Sequence, residues 1–119
     1  MADEHPRRSA LADQDHARWR SSVGGDELRQ LLYWRWDPIQ VSDDFPATKG
    51  EYDDYAGPLM RALRDGAQVE QVFDLLRRIE IEYMGGELSG GNALRALAYS
   101  ITDWYEESIA QWAAGERPD

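Results

Sequence analysis

The amino-acid sequence predicts an all-α fold, a compact bundle of four main helices. Apolar residues recur at helical spacing in four stretches, and the run from Val69 to Tyr83 has the clearest period. Proline or glycine follows each of the first three stretches, at Pro38, at Gly66 and at Gly85 with Gly86. No stretch alternates apolar and polar residues as a half-buried strand does. Helices joined by short loops therefore account for the whole pattern.

The first two predicted helices have recognisable ends. Asp26 suits the N-cap of the first helix, which should stop before Pro38, because proline donates no backbone hydrogen bond and disfavours a helical residue before it. Thr48 and Glu51 have the spacing of a capping box and predict the start of the second helix. Asn92 is the expected cap of the fourth helix.

Residues 1–25 form a polar arm ahead of the helical domain predicted at 26–114. Apart from Met1, the only large apolar side chains in this arm are Leu11, Trp19 and Val23, too few for a core of its own. We therefore expect the arm to be flexible or loosely docked, with room for a short helix over 10–20. His5 and His16 both lie there, and solvated surface positions are expected for them.

Composition limits the classes of function. The 119 residues carry a net charge of −10, with the deficit in the body from Asp26 onward, which disfavours nucleic acid and suits a basic protein partner. The absence of cysteine excludes disulfides, thiolate metal sites and a thiol nucleophile. No apolar run resembles a signal peptide or a membrane span, so a soluble cytoplasmic protein without a cofactor is expected.

A motif around the first helix end resembles a known family. Trp36-Asp37-Pro38-Ile39-Gln40-Val41, followed by the acidic and tyrosine-containing segment 50–55, resembles small all-helical bacterial proteins of unknown function with the pattern W-D-P-[IL]-G-V … [DE]-Y-D-x-Y. The resemblance covers residues 28–85 and implies the helical fold but no catalytic residue. Gln40 stands where that family usually has glycine. If this position adopts a positive φ, glutamine costs about 1 kcal/mol there.

The aromatic residues give the main indication of a binding surface. Trp34 and Trp36 lie about 200° apart on one helix, so both cannot face the core, and at least one should reach the surface. Exposed aromatic side chains beside acids are typical of protein-binding surfaces. The predicted partner-binding residues are Trp34, Asp37, Asp43, Asp44, Asp53, Asp54 and Trp104. The alternative is structural: Asp37 would accept hydrogen bonds from loop amides, and Asp53 and Asp54 would stabilise a helix start.

Three hypotheses of function follow. The first is a non-enzymatic interaction module, of the immunity or inhibitor type, that binds a basic protein. The second is a small magnesium-dependent enzyme resembling all-α nucleotide pyrophosphohydrolases, with Glu51, Asp54, Asp103 and Glu106 as metal ligands. That array is incomplete, because the third helix adds only Glu80 and Glu82, which do not share a face. The third is a helical homodimer whose surplus aromatic residues bury one another.

Overall fold

The computed structural model describes residues 11–115, which form four main helices. The first is a continuous rod of four consecutive segments. An α-helix (α1, Asp13–Trp19), a π-helical segment (Arg20–Gly24), a second α-helix (α2, Gly25–Leu31) and a second π-helical segment (Leu32–Trp36) follow one another without a break. We call this element the N-terminal rod.

Three further helices complete the bundle. They are α3 (Asp53–Arg64), α4 (Val69–Tyr83) and α5 (Gly91–Ala113), and a short 3₁₀ turn (Ser42–Asp44) lies in the connection before α3. Helix α4 packs against α5 and α3, and α3 packs against α2. The all-α fold class is confirmed, and α4 has the bounds that its apolar period predicts.

The core lies where the rod, α3, α4 and α5 meet. Trp36 is buried with 6 % of its surface exposed, whereas Trp34 is 53 % exposed, as the angle between them on the helix requires. The side chains with no exposed surface in this core come from every main helix: Trp19, Leu28, Leu32, Leu59, Leu63, Val72, Leu76, Ala98, Ile101 and Tyr105.

A short helix does lie within 10–20, as the sequence allows, but the loose docking expected for the arm is wrong from residue 13 onward. This segment is helical, and Trp19 is completely buried, with its indole N–H donating to Ser108 Oγ on α5 at 2.8 Å. A Cβ atom on Gly24 would lie 2.5 Å from the Trp19 ring, so glycine is needed for this close approach. The segment needs no core of its own, because it contributes one apolar stripe to a core that α5 completes. Residues 1–10 lie outside the described residues.

Three predicted helix caps are also wrong. Asn92 is the second residue of α5, which begins at Gly91 with Gly90 as its N-cap. Asp26 lies inside the rod, because the preceding residues keep helical dihedral angles and α2 continues from the π-helical segment. Thr48 does not cap α3, which begins five residues later at Asp53. The Thr48 hydroxyl instead donates to the backbone oxygen of Val41 at 2.6 Å and pairs with the Tyr33 hydroxyl at 2.7 Å. The Thr48 hydroxyl therefore bonds residues distant in the sequence and does not cap a neighbouring helix.

Candidate functional site

Asp37 organises the loop that follows the N-terminal rod. Its carboxylate accepts hydrogen bonds from the Val41 and Ser42 backbone amides, from the Ser42 hydroxyl and from the Tyr52 hydroxyl, at 2.8, 3.2, 2.6 and 2.7 Å. Burial alone would raise the pKa of Asp37, but the bonds from Ser42, Tyr52 and Val41 outweigh it and hold that pKa below its usual range. Burial and the bond to Asp37 raise the pKa of the Tyr52 hydroxyl.

This network supports the structural alternative for Asp37. Both of its oxygens are occupied by the chain itself, and its backbone has a φ of 39°, which aspartate tolerates better than most residues. Tyr52 also accepts a bond from the Ile39 amide at 3.2 Å. The hydrogen bond between Asp37 and Tyr52 therefore holds the loop after the rod against the start of α3.

Glu80 forms the second internal network, and its depth was not predicted from sequence. The side chain has no exposed surface. Its carboxylate accepts five hydrogen bonds: from the Trp36 indole at 2.8 Å, from Arg77 at 2.9 Å, from the amides of Leu88 and Ser89 at 3.0 and 3.1 Å, and from the Ser89 hydroxyl at 2.6 Å. Burial opposes ionisation, but these donors prevail and lower the pKa of Glu80.

The Glu80 network explains why Trp36 is the apolar anchor at the end of the rod. The indole ring fills the core while its N–H satisfies a buried carboxylate on α4, which in turn holds the loop before α5. One sequence signal could have identified Glu80: it follows Ile79 on the buried side of α4, where an acid requires a partner. The two networks leave Asp37 and Glu80 as elements of the scaffold.

A groove beside the rod brings several predicted binding residues to the surface. Its volume is about 540 Å³. We call it the Trp34 groove, and its lining residues are Asp26, Arg29, Gln30, Tyr33, Trp34, Phe45, Lys49, Gly50 and Asp53. The Trp34 and Phe45 ring centroids are 5.2 Å apart, and the two side chains are 53 % and 51 % exposed. Two large aromatic rings therefore stand side by side with about half of their surfaces open to solvent.

Acidic side chains lie along the Trp34 groove, together with the basic side chains of Arg29 and Lys49. Asp53 lines it, and the exposed pair Asp43 and Asp44 immediately precedes Phe45 in the chain. Phe45 was not among the predicted binding residues. It lies in a polar loop without helical period, and only contact with the rod shows its position beside Trp34.

The remaining predicted residues lie in other settings. Asp54 lines a different groove, of about 440 Å³, together with Tyr55, Arg78 and Tyr83. Trp104 donates its indole N–H to Glu27 at 2.8 Å, and its ring packs 5.7 Å from that of Trp19, centroid to centroid. Neither residue lines the Trp34 groove.

The proposed metal ligands are not gathered into a site. Within residues 11–115, no group of three or more histidine, aspartate or glutamate side chains is placed to hold a metal ion, and Glu51, Asp54, Asp103 and Glu106 form no such group. In the same part of the chain, no helix has both the length and the apolar character required to cross a membrane.

The fold and groove define a small all-helical protein with an aromatic, acid-bordered surface and two internal carboxylate networks. Comparisons with models of protein families, with curated proteins and with solved structures find no match to this chain. The resemblance noted at the Trp-Asp-Pro motif stays a prediction, and the interpretation of function depends on the surface itself.

Proposed function

We propose that this protein is a non-enzymatic interaction module, of the immunity or inhibitor type, that binds a basic protein through the Trp34 groove. The observation that carries the proposal is the exposed pair Trp34 and Phe45, whose ring centroids lie 5.2 Å apart. Exposed tryptophan next to a second aromatic ring is the kind of side chain that dominates binding energy at protein interfaces. Buried Tyr33 packs edge-on against Trp34 at 4.8 Å and stabilises its orientation.

The charge around the groove favours a basic partner. Two acids and two bases line the groove itself: Asp26, Asp53, Arg29 and Lys49. The excess of negative charge comes from the exposed Asp43 and Asp44 immediately before Phe45 and from the whole chain, whose net charge is −10. A lysine or arginine of the partner could place its aliphatic stem on Trp34, with its cationic group among these acids. Long-range attraction between the acidic chain and a basic protein would also accelerate their association.

Capture from a native lysate at low salt tests this proposal with matched variants. Wild-type protein should retain a basic protein, and the retained amount should fall as salt increases. The Trp34→Ala variant should lose that protein. The Tyr99→Ala variant should keep it, because Tyr99 is similarly exposed, at 55 %, but does not line the groove.

Two outcomes would contradict the proposal. One is equal capture by wild type and Trp34→Ala, which would place any interface elsewhere. The other is a concentration-dependent doubling of mass in purified wild type that disappears in Trp34→Ala, which would make the groove the interface of a homodimer.

A further inference from the structure

A second pocket lies between the start of the N-terminal rod and α3, and its chemistry is opposite to that of the whole chain. Its volume is about 330 Å³. Three arginines line it, together with a buried histidine, an aspartate and apolar side chains: Arg20, Arg61, Arg64, His16, Asp13 and Met60. The full sequence has only 13 lysine and arginine residues against 23 acids, so three converging arginines are unexpected.

The positive charge of this pocket is only partly neutralised within the described chain. Arg64 forms an ion pair with Asp13. Arg20 and Arg61 form no ion pair with any of residues 11–115, although acids are abundant in that part of the chain. An anion between the two guanidinium groups would supply the missing opposite charge.

The two guanidinium groups that form no ion pair within residues 11–115 both lie close to Gly57. Nη2 of Arg20 and Nη1 of Arg61 lie 3.9 and 3.7 Å from the position that a Cβ atom on Gly57 would occupy. Like charges that line the same pocket repel each other, and the repulsion is relieved when an anion accepts hydrogen bonds from both. The rod and α3 therefore hold two planar donor groups where one ligand can reach both.

The rest of the pocket favours a ligand with an organic part. Met60, which has 1 % of its surface exposed, and Ala17 supply apolar lining. The solvated surface position expected for His16 is wrong, because this side chain is only 3 % exposed. Its Nε2 lies 2.9 Å from the Tyr105 hydroxyl, which fixes the ring. Burial, followed by the positive charges of Arg64 and Arg20, lowers the pKa of His16 to about 4 against the opposing effect of Asp13, so the ring is neutral at pH 7.

We propose that this pocket binds a small phosphomonoester, with Arg20 and Arg61 on the phosphate and the organic part against Met60 and Ala17. Two arginines that form no ion pair within the described part of the chain match the charge of a phosphate dianion better than that of a single carboxylate. Planar guanidinium groups bind phosphate oxygens in pairs, and the pocket volume suits a small molecule. This site is independent of the Trp34 groove.

Thermal melting of the full chain tests the pocket with two probes, inorganic phosphate and glycerol 3-phosphate, at an ionic strength fixed with sodium chloride. Either probe should raise the melting temperature of the wild type in a saturable way, by roughly 5 °C at ten times its Kd. Glycerol 3-phosphate should saturate at the lower concentration. Equal affinity for the two probes would contradict a role for the apolar lining.

Matched variants separate binding from the general stabilising effect of phosphate salts. Arg61→Gln and Arg20→Gln should each reduce the shift strongly. Arg29→Gln should retain it, because Arg29 pairs with Asp26 and does not line this pocket. An equal shift in all four proteins would overturn the proposal.

The His16 ring provides a readout that does not depend on stability. In NMR spectra at pH 7, its imidazole signals should move over the same phosphate concentrations that raise the melting temperature, in Arg29→Gln but not in Arg61→Gln. Unmoved His16 signals in wild-type protein at saturating phosphate would also overturn the proposal.

Discussion

At the scale of single residues, buried polar groups fix the geometry more than apolar contacts alone do. Glu80 has no exposed surface and receives five hydrogen bonds from the rod end, from α4 and from the loop before α5. A carboxylate with this many donors stays ionised in the interior, and its removal leaves every donor without its partner. Glu80 therefore connects three separate parts of the chain.

Replacement of Glu80 should be strongly destabilising. Glu80→Ala should lower the free energy of unfolding by about 3–5 kcal/mol, because Trp36, Arg77 and the loop amides lose a buried acceptor. Glu82→Ala, at an exposed position on the same helix, should change it by less than about 0.5 kcal/mol. Urea melts of both variants measure the difference, and similar small losses would show that the network contributes little.

Gln40 gives a prediction of the opposite sign. Its φ is 57°, in the left-handed region where a side chain is strained and glycine is not. Gln40→Gly should raise the free energy of unfolding by up to about 1 kcal/mol, since relief of strain exceeds the added flexibility of the unfolded chain. Gln40→Ala is the control and should show no gain. A loss of stability in Gln40→Gly would mean that the glutamine side chain contributes more than its backbone strain costs.

His16 should make stability depend on pH. Its pKa is lowered from 6.5 to about 4, so between these values the unfolded chain binds more protons than the folded chain. The free energy of unfolding should therefore fall as pH decreases from 7 to 5.5. Asp37 and Glu80 also have lowered pKa values, but their stabilisation is lost at lower pH, below the usual carboxyl range.

A variant isolates the contribution of His16. His16→Gln can still hydrogen-bond to Tyr105 but cannot titrate, so its urea melts at pH 7 and 5.5 should differ less than those of the wild type. Equal pH dependence in the two proteins would assign the effect to another group.

At the scale of elements, the N-terminal rod is the largest departure from what the sequence predicts. Trp19 is completely buried between the rod and α5, its ring centroid lies 5.4 Å from that of Tyr105, and Gly24 gives it space. Trp19→Ala should therefore cost about 3–5 kcal/mol of stability. The half-exposed Trp34→Ala should cost less than about 1 kcal/mol. Denaturant melts of the two variants measure the difference. A small loss of stability for Trp19→Ala would show that this segment is only loosely docked.

Elements whose residue pattern lies within one stretch of sequence could be predicted, whereas those fixed by contacts with distant residues could not. The bounds of α4 follow from its apolar period, which needs no knowledge of other elements. The docking of the rod from residue 13 to Gly25 could not be found in this way. One tryptophan, one histidine and two glycines make its buried face, and the partners of the tryptophan and the histidine lie on α5. The Thr48 cap failed for the same reason, since its hydroxyl has distant partners.

The candidate site likewise has features that the sequence predicts and features that only the folded chain shows. Exposure of Trp34 follows from helical geometry, and acids near it could be counted in the sequence. Three other features are visible only in the folded chain. Trp34 lies beside Phe45, Asp37 accepts hydrogen bonds from its own loop, and Trp104 donates a hydrogen bond to Glu27. Loops without a period place their side chains by tertiary contact, which no short sequence pattern encodes.

At the scale of the whole molecule, exposed aromatic side chains and converging arginines lie on different surfaces. The scaffold carboxylates Asp37 and Glu80 are occupied internally, whereas acids around the Trp34 groove are exposed. The arginine pocket lies between the rod and α3. A basic protein partner and a small anionic ligand could therefore bind at separate sites, because their charge requirements are opposite.

In the proposed function, the Trp34 groove is the interface for a basic protein partner. The most direct test of this interface is the dissociation constant of the purified partner for wild type, Trp34→Ala and Tyr99→Ala at low and physiological salt. Trp34→Ala should weaken binding by roughly 30-fold or more, mainly through faster dissociation, and Tyr99→Ala by less than about twofold. Added salt should slow association of all three proteins by a similar factor. A dissociation constant unchanged by Trp34→Ala would contradict the account.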